Sequence, residues 1–175
     1  MYDPNQILDA ARSVLRQESS AIAAHAETLD SSFCDALSLL LDCSGNVIIS
    51  GMGKAGLIGR KMAATFASTG TPASFLHPAE AIHGDLGRIR KNDLVLILSN
   101  SGETEEVLRI IPSLKEFGTP IISITKAGSS LARSSDTVLG IAIQNEAGHL
   151  NLAPSNSTAV MLALGDALAF AVSEN

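Results

Sequence analysis

The hydrophobic residues of the chain follow two alternating patterns. Short, unbroken aliphatic runs are typical of parallel strands that are buried on both faces of a sheet. Longer segments carry apolar residues three and four positions apart, which is the spacing of one face of an α-helix. The runs predict strands at residues 47–49, 73–76, 94–98, 120–125 and 138–143. The helical spacing predicts helices at about residues 5–27, 33–40, 55–68, 104–117 and 156–172.

The alternation of strands and helices along the chain predicts an α/β fold. Successive parallel strands need crossover connections, and right-handed crossovers place helices on both faces of the sheet. At 175 residues the chain is long enough for one domain with a substantial core. We therefore expect a three-layer sandwich in which a five-stranded parallel sheet is flanked by helices, as in flavodoxin-like folds.

The composition narrows the class of protein. Hydrophobic residues make up 46% of the sequence and aromatic residues only 3%, which predicts a core of aliphatic side chains. The net charge of −6 and the lack of a basic cluster interleaved with aromatic residues argue against a nucleic-acid partner. Cys34 and Cys43 lack metal-site spacing, and we interpret them as reduced thiols of a cytosolic protein rather than as a disulfide.

Apolar segments bear on location and assembly. The N-terminal residues contain neither a basic nor an apolar region of a signal peptide, so none is predicted. The most apolar segment, residues 159–172, is short for a membrane span and contains Asp166. We therefore expect a cytoplasmic protein without a membrane partner. Because this segment is apolar almost all the way round, we also expect it to lie near the interface of a homo-oligomer, either a dimer or a tetramer.

The richest polar motif follows the predicted strand at residues 94–98. Ser99, Asn100, Ser101, Gly102 and Thr104 form a short turn, after which a helix begins. Backbone N–H groups at the start of a helix, together with hydroxyl donors, can hold an anion, and the helix dipole adds positive potential. Ser and Thr are also common helix caps, so composition alone leaves both interpretations open.

A glycine motif follows the first predicted strand. Gly51, Gly53 and Gly56 spell G-x-G-x-x-G between a strand and a helix, which is the position of a dinucleotide site. Such a site also needs an acidic residue at the end of the second strand to hold the ribose, and that strand ends at His77 instead. The glycines therefore indicate close approach by some other ligand, with Lys54 projecting from the same turn.

Four of the predicted strands are followed by candidate site residues. In an open parallel sheet, ligands bind beyond the carboxyl ends of the strands, so these residues should meet at one edge. A cation, imidazoles, an anion site and carboxylates together suit a phosphorylated small polyol and proton transfer, without a cofactor. They are Lys54, His77, His83, residues 99–106 and Glu146.

Two alternatives concern individual side chains of this set. His77, His83 and Asp85 are a possible metal site, but no close ligand pair such as C-x-x-C supports it, and no metal is expected. Acidic residues favour a helix N-terminus, and this is our interpretation of Glu103 and Glu105. We interpret Glu106 as functional, because it would point back toward the turn.

Four segments agree in order and spacing with one protein family. They are G-M-G-K-A-G-L-I-G-R-K-M-A-A-T-F-A-S-T-G-T-P (residues 51–72), H-P-A-E-A-I-H-G-D-L-G (77–87), S-N-S-G-E-T (99–104) and E-A-G-H-L-N-L-A-P (146–154). On these segments the chain resembles the sugar isomerase (SIS) domain of arabinose-5-phosphate isomerases. The resemblance covers essentially the whole chain and is strongest from the first strand onward.

The resemblance implies a fold, an activity and residue roles. It implies the SIS fold and an aldose–ketose isomerase that interconverts D-ribulose 5-phosphate and D-arabinose 5-phosphate through a cis-enediol, for the Kdo sugar of lipopolysaccharide. It leaves open which glutamate is the base. By resemblance, the catalytic residues are Lys54, Glu106 and Glu146, the substrate-loop histidines are His77 and His83, and the phosphate loop consists of Ser99, Asn100, Ser101 and Thr104. We expect either Lys54 or His83 to polarise the carbonyl, which makes His83 a candidate catalytic residue, and we expect Gly53 and Ala55 to contact the substrate.

The sequence departs from the family pattern in places. Ala55 stands where many members carry Ser, and Gly148 and His149 replace a Cys-Pro or similar pair. Typical members continue beyond the position of Asn175 with a His-Pro-Gly-Gly segment and two CBS domains. We expect a single SIS domain over residues 1–175, with no CBS domains in this chain.

A second function remains open from the sequence. SIS domains also serve as sugar-phosphate-binding regulatory modules without turnover. Such a module needs the anion site but has no need of Lys54, His83 and two placed glutamates together, and their joint presence favours the enzyme.

Overall fold

A five-stranded parallel sheet forms the centre of the molecule. In the computed structural model, which describes residues 3–175, the strands lie in the order β2-β1-β3-β4-β5, and each neighbouring pair is parallel. This confirms the predicted α/β architecture. The strands are β1 (Val47–Gly51), β2 (Ala73–Leu76), β3 (Leu94–Ser99), β4 (Ile121–Thr125) and β5 (Thr137–Gly140).

The helices cover both faces of this sheet. The long helices lie within a few residues of their predicted bounds, but α4 and α6 were not predicted, because five residues are too few for an apolar repeat. The helices are α1 (Pro4–Ala26), α2 (Ser31–Leu41), α3 (Gly53–Ser68), α4 (Pro78–Ile82), α5 (Glu105–Phe117), α6 (Ser130–Ser134) and α7 (Asn156–Ser173), with a 3₁₀ turn at Asp85–Arg88.

Alternating strand residues divide the core into two clusters. Val47 and Ile49 face the layer that contains α2, α3 and α7, whereas Ile48 between them faces the layer that contains α4, α5 and α6. Leu96 and Val95 of β3 alternate in the same way, and both are fully buried. Continuous aliphatic runs are therefore required, because every strand position meets a helix layer on one side or the other.

Strand β5 is shorter than predicted. The prediction extended to residue 143, but the strand ends at Gly140. Its neighbour β4 ends at Thr125, which pairs with Gly140, and only one further bond follows, from Ile141 N–H to the Thr125 carbonyl at 2.9 Å. The hydrophobic run continues past the end of the partner strand, so hydrophobicity alone overestimates the length of β5.

The glycine motif allows α3 to approach β1 closely. A Cβ on Gly56 would lie 2.5 Å from the carbonyl oxygen of Gly51, a backbone atom that cannot move aside. Gly53 has open space around it, so a side chain would fit at this position. Its φ of +55° is a left-handed backbone conformation that glycine adopts readily, and this turn conformation is why a glycine is favoured there. The motif thus serves helix packing at Gly56 and turn geometry at Gly53.

Helix α7 is long and apolar enough to span a membrane by length and composition alone, whereas we expected the segment to be too short. It packs against α3 and α1 and contributes Val160, Met161 and Leu168 to the core. Its one charged residue, Asp166, forms an ion pair with Lys61 of α3. These contacts identify α7 as a core helix of this domain.

Candidate active site

A pocket of about 250 Å³ lies at the carboxyl edge of the sheet. It opens between the ends of β1 and β3, where the chain order reverses direction and where ligands bind in open α/β sheets. Six of the residues predicted from sequence line this pocket, namely Lys54, Ala55, Ser99, Asn100, Ser101 and Thr104. The lining residues are Met52, Lys54, Ala55, Leu98, Ser99, Asn100, Ser101, Thr104, Pro154, Ser157, Thr158 and Met161.

The turn at residues 99–104, which we call the cradle, presents free hydroxyl donors. Ser101 Oγ accepts a hydrogen bond from Glu103 N–H at 3.2 Å, so the Ser101 hydroxyl hydrogen remains available. The hydroxyls of Ser99 and Thr104 share one hydrogen bond of 2.9 Å, and Ser99 Oγ also accepts from Gly102 N–H at 3.1 Å. One hydroxyl hydrogen of that pair is therefore also free to meet an anion.

Gly102 holds the cradle against β4 and α6. Its φ is +68°, and a Cβ there would lie 2.0 Å from Ser129 Oγ. Next to it, Glu103 accepts a hydrogen bond from Ser130 N–H at 2.8 Å, and this bond lowers the pKa of the Glu103 carboxyl. Glu103 is thus a structural residue, as interpreted from sequence, but it stabilises the start of α6 rather than α5.

Two helix N-termini at the pocket have no side-chain cap. Helix α3 begins after Met52 and α5 begins after Thr104, and in neither does the preceding residue cap the helix through its side chain. Thr104 bonds to Ser99 instead. The first N–H groups of both helices and their dipoles therefore favour an anion in the pocket.

A third helix N-terminus, that of α7, is capped by Glu146. Oε2 of Glu146 accepts hydrogen bonds from Ser155 N–H at 2.8 Å, Ser155 Oγ at 3.2 Å and Ser157 N–H at 3.1 Å, and Oε1 accepts from the Ser157 hydroxyl. Partial burial raises the pKa of Glu146, but the hydrogen bonds from Ser157 and Ser155 outweigh burial and hold this pKa below its usual range. Glu146 reaches the pocket only through Ser157.

The lowered pKa of Glu146 predicts that its contribution to the stability of the fold depends on pH. Because the folded-state pKa lies below the unfolded value, Glu146 stabilises the fold fully above its ordinary pKa of about 4.3 and loses this contribution as the pH falls through the folded-state pKa. We expect the difference in Tm between the parent and Glu146→Gln to shrink between pH 6 and pH 3. Thermal unfolding followed by circular dichroism measures it, with exposed Glu116→Gln as the control. A difference that stays constant with pH would contradict the cap.

The side chains of Lys54 and Glu106 form no ion pair and no hydrogen bond within residues 3–175. Lys54 lies exposed at the pocket, one residue after Gly53, and the ion pairs formed within residues 3–175 do not include it. Glu106 is half-buried in the first turn of α5, directly after the cradle, and none of the hydrogen bonds within residues 3–175 involves its carboxylate. Of the two, Lys54 lines the pocket, whereas Glu106 is not among its lining residues.

The predicted histidines flank α4 and do not line the pocket. His77 is the N-cap residue of α4 and packs edge-on against Phe75, with ring centroids 6.4 Å apart. Its Nδ1 atom is buried without a hydrogen-bond partner. His83, at the other end of α4, is exposed. Within residues 3–175 no group of His, Cys, Asp and Glu side chains could hold a metal ion.

Several pocket residues were missed in the sequence. Ser157 and Thr158 come from the first turn of α7, and Met161 lies one turn further along. The segment S-N-S-T at residues 155–158 carries the same signal as the cradle, hydroxyl residues at the start of a helix, and this signal would have identified Ser157 and Thr158. Met52 and Pro154 had no such signal.

The chain is similar in sequence to known proteins. The SIS domain family matches residues 40–171. The chain is 50% identical over 168 residues to arabinose 5-phosphate isomerase KpsF of Escherichia coli, covering 95% of this chain and 51% of that protein. It is 47% identical over 164 residues to arabinose 5-phosphate isomerase KdsD of Shigella flexneri, covering 93% of this chain and 50% of that protein. The chain thus spans about half the length of these curated relatives.

A solved structure is also similar over the whole fold. It is a protein of Escherichia coli CFT073 in complex with arabinose 5-phosphate, 44% identical in sequence, with a TM-score of 0.96. The match covers 99% of this chain and 93% of that chain. The similarity therefore includes every element that forms the pocket.

Proposed function

Because the chain belongs to the SIS domain family, we propose that it is an aldose–ketose isomerase that interconverts D-ribulose 5-phosphate and D-arabinose 5-phosphate. The observation that carries this proposal is the pocket, where uncapped helix N-termini and hydroxyl donors occur together with the amine of Lys54, which forms no ion pair in the described part of the chain. The relatives named arabinose 5-phosphate isomerase and the similar structure with arabinose 5-phosphate bound support the choice of sugar.

The phosphate is proposed to bind in the cradle. Ser101 and the Ser99–Thr104 pair supply hydroxyl hydrogens, and the start of α5 supplies N–H groups and positive potential. Asn100 and the backbone near Gly53 and Ala55 complete this end of the pocket. Holding the phosphate fixes C1 and C2 of the open-chain sugar farther along, toward Lys54 and Glu106.

If the cradle binds the phosphate, Ser101→Ala should weaken substrate binding. A hydrogen bond to a charged group is worth about 1.5–3 kcal/mol, so its loss should raise KM by about 10- to 150-fold. The phosphate is bound equally in the ground and transition states, so kcat should change little. Steady-state kinetics measures both, with Ser68→Ala on the exposed face of α3 as the control. An unchanged KM would mean that the phosphate lies elsewhere.

The chemistry needs one proton moved between C1 and C2. We propose Glu106 as the base, because its carboxylate has no structural partner within residues 3–175, whereas that of Glu146 is bound to the start of α7. Glu106 removes a proton from C1 of the ketose, the C–H electron pair forms the C1–C2 double bond, and the C2 carbonyl pair moves onto its oxygen, whose negative charge Lys54 stabilises. The C1 hydroxyl then loses its proton, which passes to the oxygen on C2, and its O–H electron pair forms the C1 carbonyl. The electron pair of the C1–C2 double bond takes the proton back from Glu106 at C2. His83 and His77 are proposed to contact the sugar from the α4 segment.

The direct test mixes purified protein with D-ribulose 5-phosphate and follows formation of D-arabinose 5-phosphate. Turnover without added metal supports the isomerase. Binding of the sugar phosphate without turnover would instead support the regulatory alternative. We further propose that the product feeds Kdo synthesis in the cytoplasm, in keeping with the resemblance of the four sequence segments.

We also propose that the protein is a homo-oligomer, and that α1 rather than α7 forms the contact between copies. None of the residues of α1 is buried, and Ile7, Leu8 and Leu15 are 52%, 49% and 67% exposed. Helix α7, which we expected at the interface, leaves only Phe170 exposed among its large apolar residues. An open groove beside α1 also meets the pocket at Asn100 and Ser101. The apolar surface of α1 is therefore the better candidate for a contact between copies.

Light scattering tests this assembly. Burying each large aliphatic side chain contributes about 1.5–3 kcal/mol, so we expect the mass of a dimer or tetramer at micromolar concentration. Leu15→Glu should shift the mass toward the monomer, and Leu57→Glu, at an exposed position on α3, should not. A monomeric parent protein would overturn the proposal.

A further inference from the structure

The hydroxyl of Ser157 is a buried polar group at the pocket to which the proposed chemistry gives no role. Ser157 is 1% exposed and lies in the first turn of α7, where it lines the pocket. Its hydroxyl donates to Oε1 of Glu146, and its N–H donates to Oε2 at 3.1 Å. The side chain is therefore held between the carboxylate and the pocket.

The carboxylate fixes the direction of the Ser157 hydroxyl hydrogen. An ionised carboxylate only accepts hydrogen bonds, whereas a hydroxyl has one hydrogen and two lone pairs. The lowered pKa of Glu146 keeps this carboxylate ionised at neutral pH. The one hydrogen of Ser157 is therefore committed to Glu146, and Ser157 can only accept a hydrogen bond from a molecule in the pocket.

The cradle, which lines the same pocket, has the opposite hydrogen-bonding character. Ser101 Oγ already accepts a bond from Glu103 N–H, so its hydrogen points outward as a donor. Thr158, beside Ser157, donates its hydrogen to the Ser155 carbonyl at 2.9 Å and resembles Ser157 in this respect. The cradle thus offers the pocket hydrogen-bond donors, and the first turn of α7 offers it acceptors.

We propose that Ser157 accepts a hydrogen bond from a hydroxyl of the bound sugar phosphate, and that Glu146 acts through Ser157 as a positioning residue. The proposal rests on the proposed function in one respect, that the ligand is a sugar phosphate. Under this proposal α7 selects for ligands that carry a hydroxyl group, because a ligand without hydroxyls leaves the buried acceptor of Ser157 unpaired. Phosphate recognition remains with the cradle.

The parent protein tests the first part without any variant. D-Arabinitol 5-phosphate carries the hydroxyl chain and the phosphate, and n-pentyl phosphate carries the same chain length without hydroxyls. Isothermal titration calorimetry should give a Kd for n-pentyl phosphate at least about tenfold higher than that for D-arabinitol 5-phosphate, the loss of one hydrogen bond. Equal Kd values would overturn the proposal, because no hydroxyl would then be recognised.

Variants test the roles of Ser157 and Glu146. Ser157→Ala should raise the Kd for D-arabinitol 5-phosphate about tenfold, the loss of one hydrogen bond, and change the Kd for inorganic phosphate less than about twofold. In Glu146→Gln the amide oxygen keeps the three donors that now bind Oε2, so the amide NH2 donates to Ser157 Oγ and the Ser157 hydrogen turns toward the pocket. This variant should therefore weaken binding to a similar extent, and the double variant should be no weaker than either single variant. Ser173→Ala, at the exposed end of the same helix, is the matched control. Circular dichroism establishes that each variant is folded.

Three results would contradict the assignment. An unchanged Kd for D-arabinitol 5-phosphate in Ser157→Ala would remove Ser157 from recognition. An equal loss of inorganic phosphate binding would mean that Ser157 shapes the cradle instead. Additive effects in the double variant would mean that Glu146 acts independently of Ser157. Because D-arabinitol 5-phosphate has no carbonyl, these results hold whether or not D-ribulose 5-phosphate is turned over, so failure of the proposed activity is seen separately.

Discussion

Replacing Glu106 by Gln is expected to lower kcat by about 10²- to 10⁴-fold, the usual contribution of a placed general base. Glutamine keeps the size of the side chain but cannot take the proton from C1. Glu106 lies in the first turn of α5 and has no hydrogen-bond partner within residues 3–175, so the fold should tolerate the change. Steady-state kinetics with D-ribulose 5-phosphate gives kcat, and calorimetry with D-arabinitol 5-phosphate gives the Kd, which should change little, because the base acts mainly in the transition state.

The neighbouring residue supplies the control for Glu106. Glu105 lies in the same helical turn, carries the same charge and is exposed. Glu105→Gln therefore reproduces the loss of negative charge at the helix N-terminus without removing the proposed base. Near-parent kcat in Glu106→Gln would exclude it as the base and would turn attention to Glu146.

Replacing Lys54 by Ala is expected to lower kcat to a similar extent, by about 10²- to 10³-fold, because one preorganised electrostatic donor contributes that much. The amine lies at the pocket and is paired with no acid within residues 3–175, so its charge is available to the oxygen that becomes negative in the enediolate. Steady-state kinetics again gives kcat and KM, and which of the two changes shows what Lys54 contacts. A loss in kcat indicates the developing charge, whereas a rise in KM alone indicates the phosphate.

Two further variants isolate the contribution of the Lys54 charge. Lys91→Ala removes an exposed lysine before β3, away from the pocket, and should retain parent kinetics. Lys54→Arg keeps the positive charge but changes its geometry, so partial recovery of kcat is expected. Parent kcat in Lys54→Ala would exclude this residue from the chemistry.

The fold was predictable because its main signals are local. Each strand of the sheet interior is a run of aliphatic residues, and each long helix carries an apolar stripe. The end of β5 was not predictable in this way, because it depends on where β4 ends, and Thr125 and Gly140 pair only once the chain between them has folded. Helices α4 and α6 span five residues each, which is too short for a periodic signal.

The candidate site was predictable where one turn supplies it. Ser99, Ser101 and Thr104 lie within one short turn, and their hydroxyls share one wall of the pocket. The contribution of α7 to the pocket was missed because Ser157 comes from a distant part of the sequence and is brought to the pocket only by tertiary folding. The cap formed by Glu146 was missed for a similar reason, since it depends on how the segment before α7 folds back onto Ser155 and Ser157.

Because α7 lies near the end of the described chain, the ribosome synthesises this part of the pocket last. The cradle and Lys54 follow β3 and β1, but the wall that bears Ser157 follows all five strands. A ribosome-bound chain that has emerged only as far as β5 already carries the phosphate-binding turn, yet it lacks the helix that covers one side of it. A bound sugar phosphate would in turn hold α7 against the sheet, and hydrogen exchange at the first turn of α7 should slow when ligand is added.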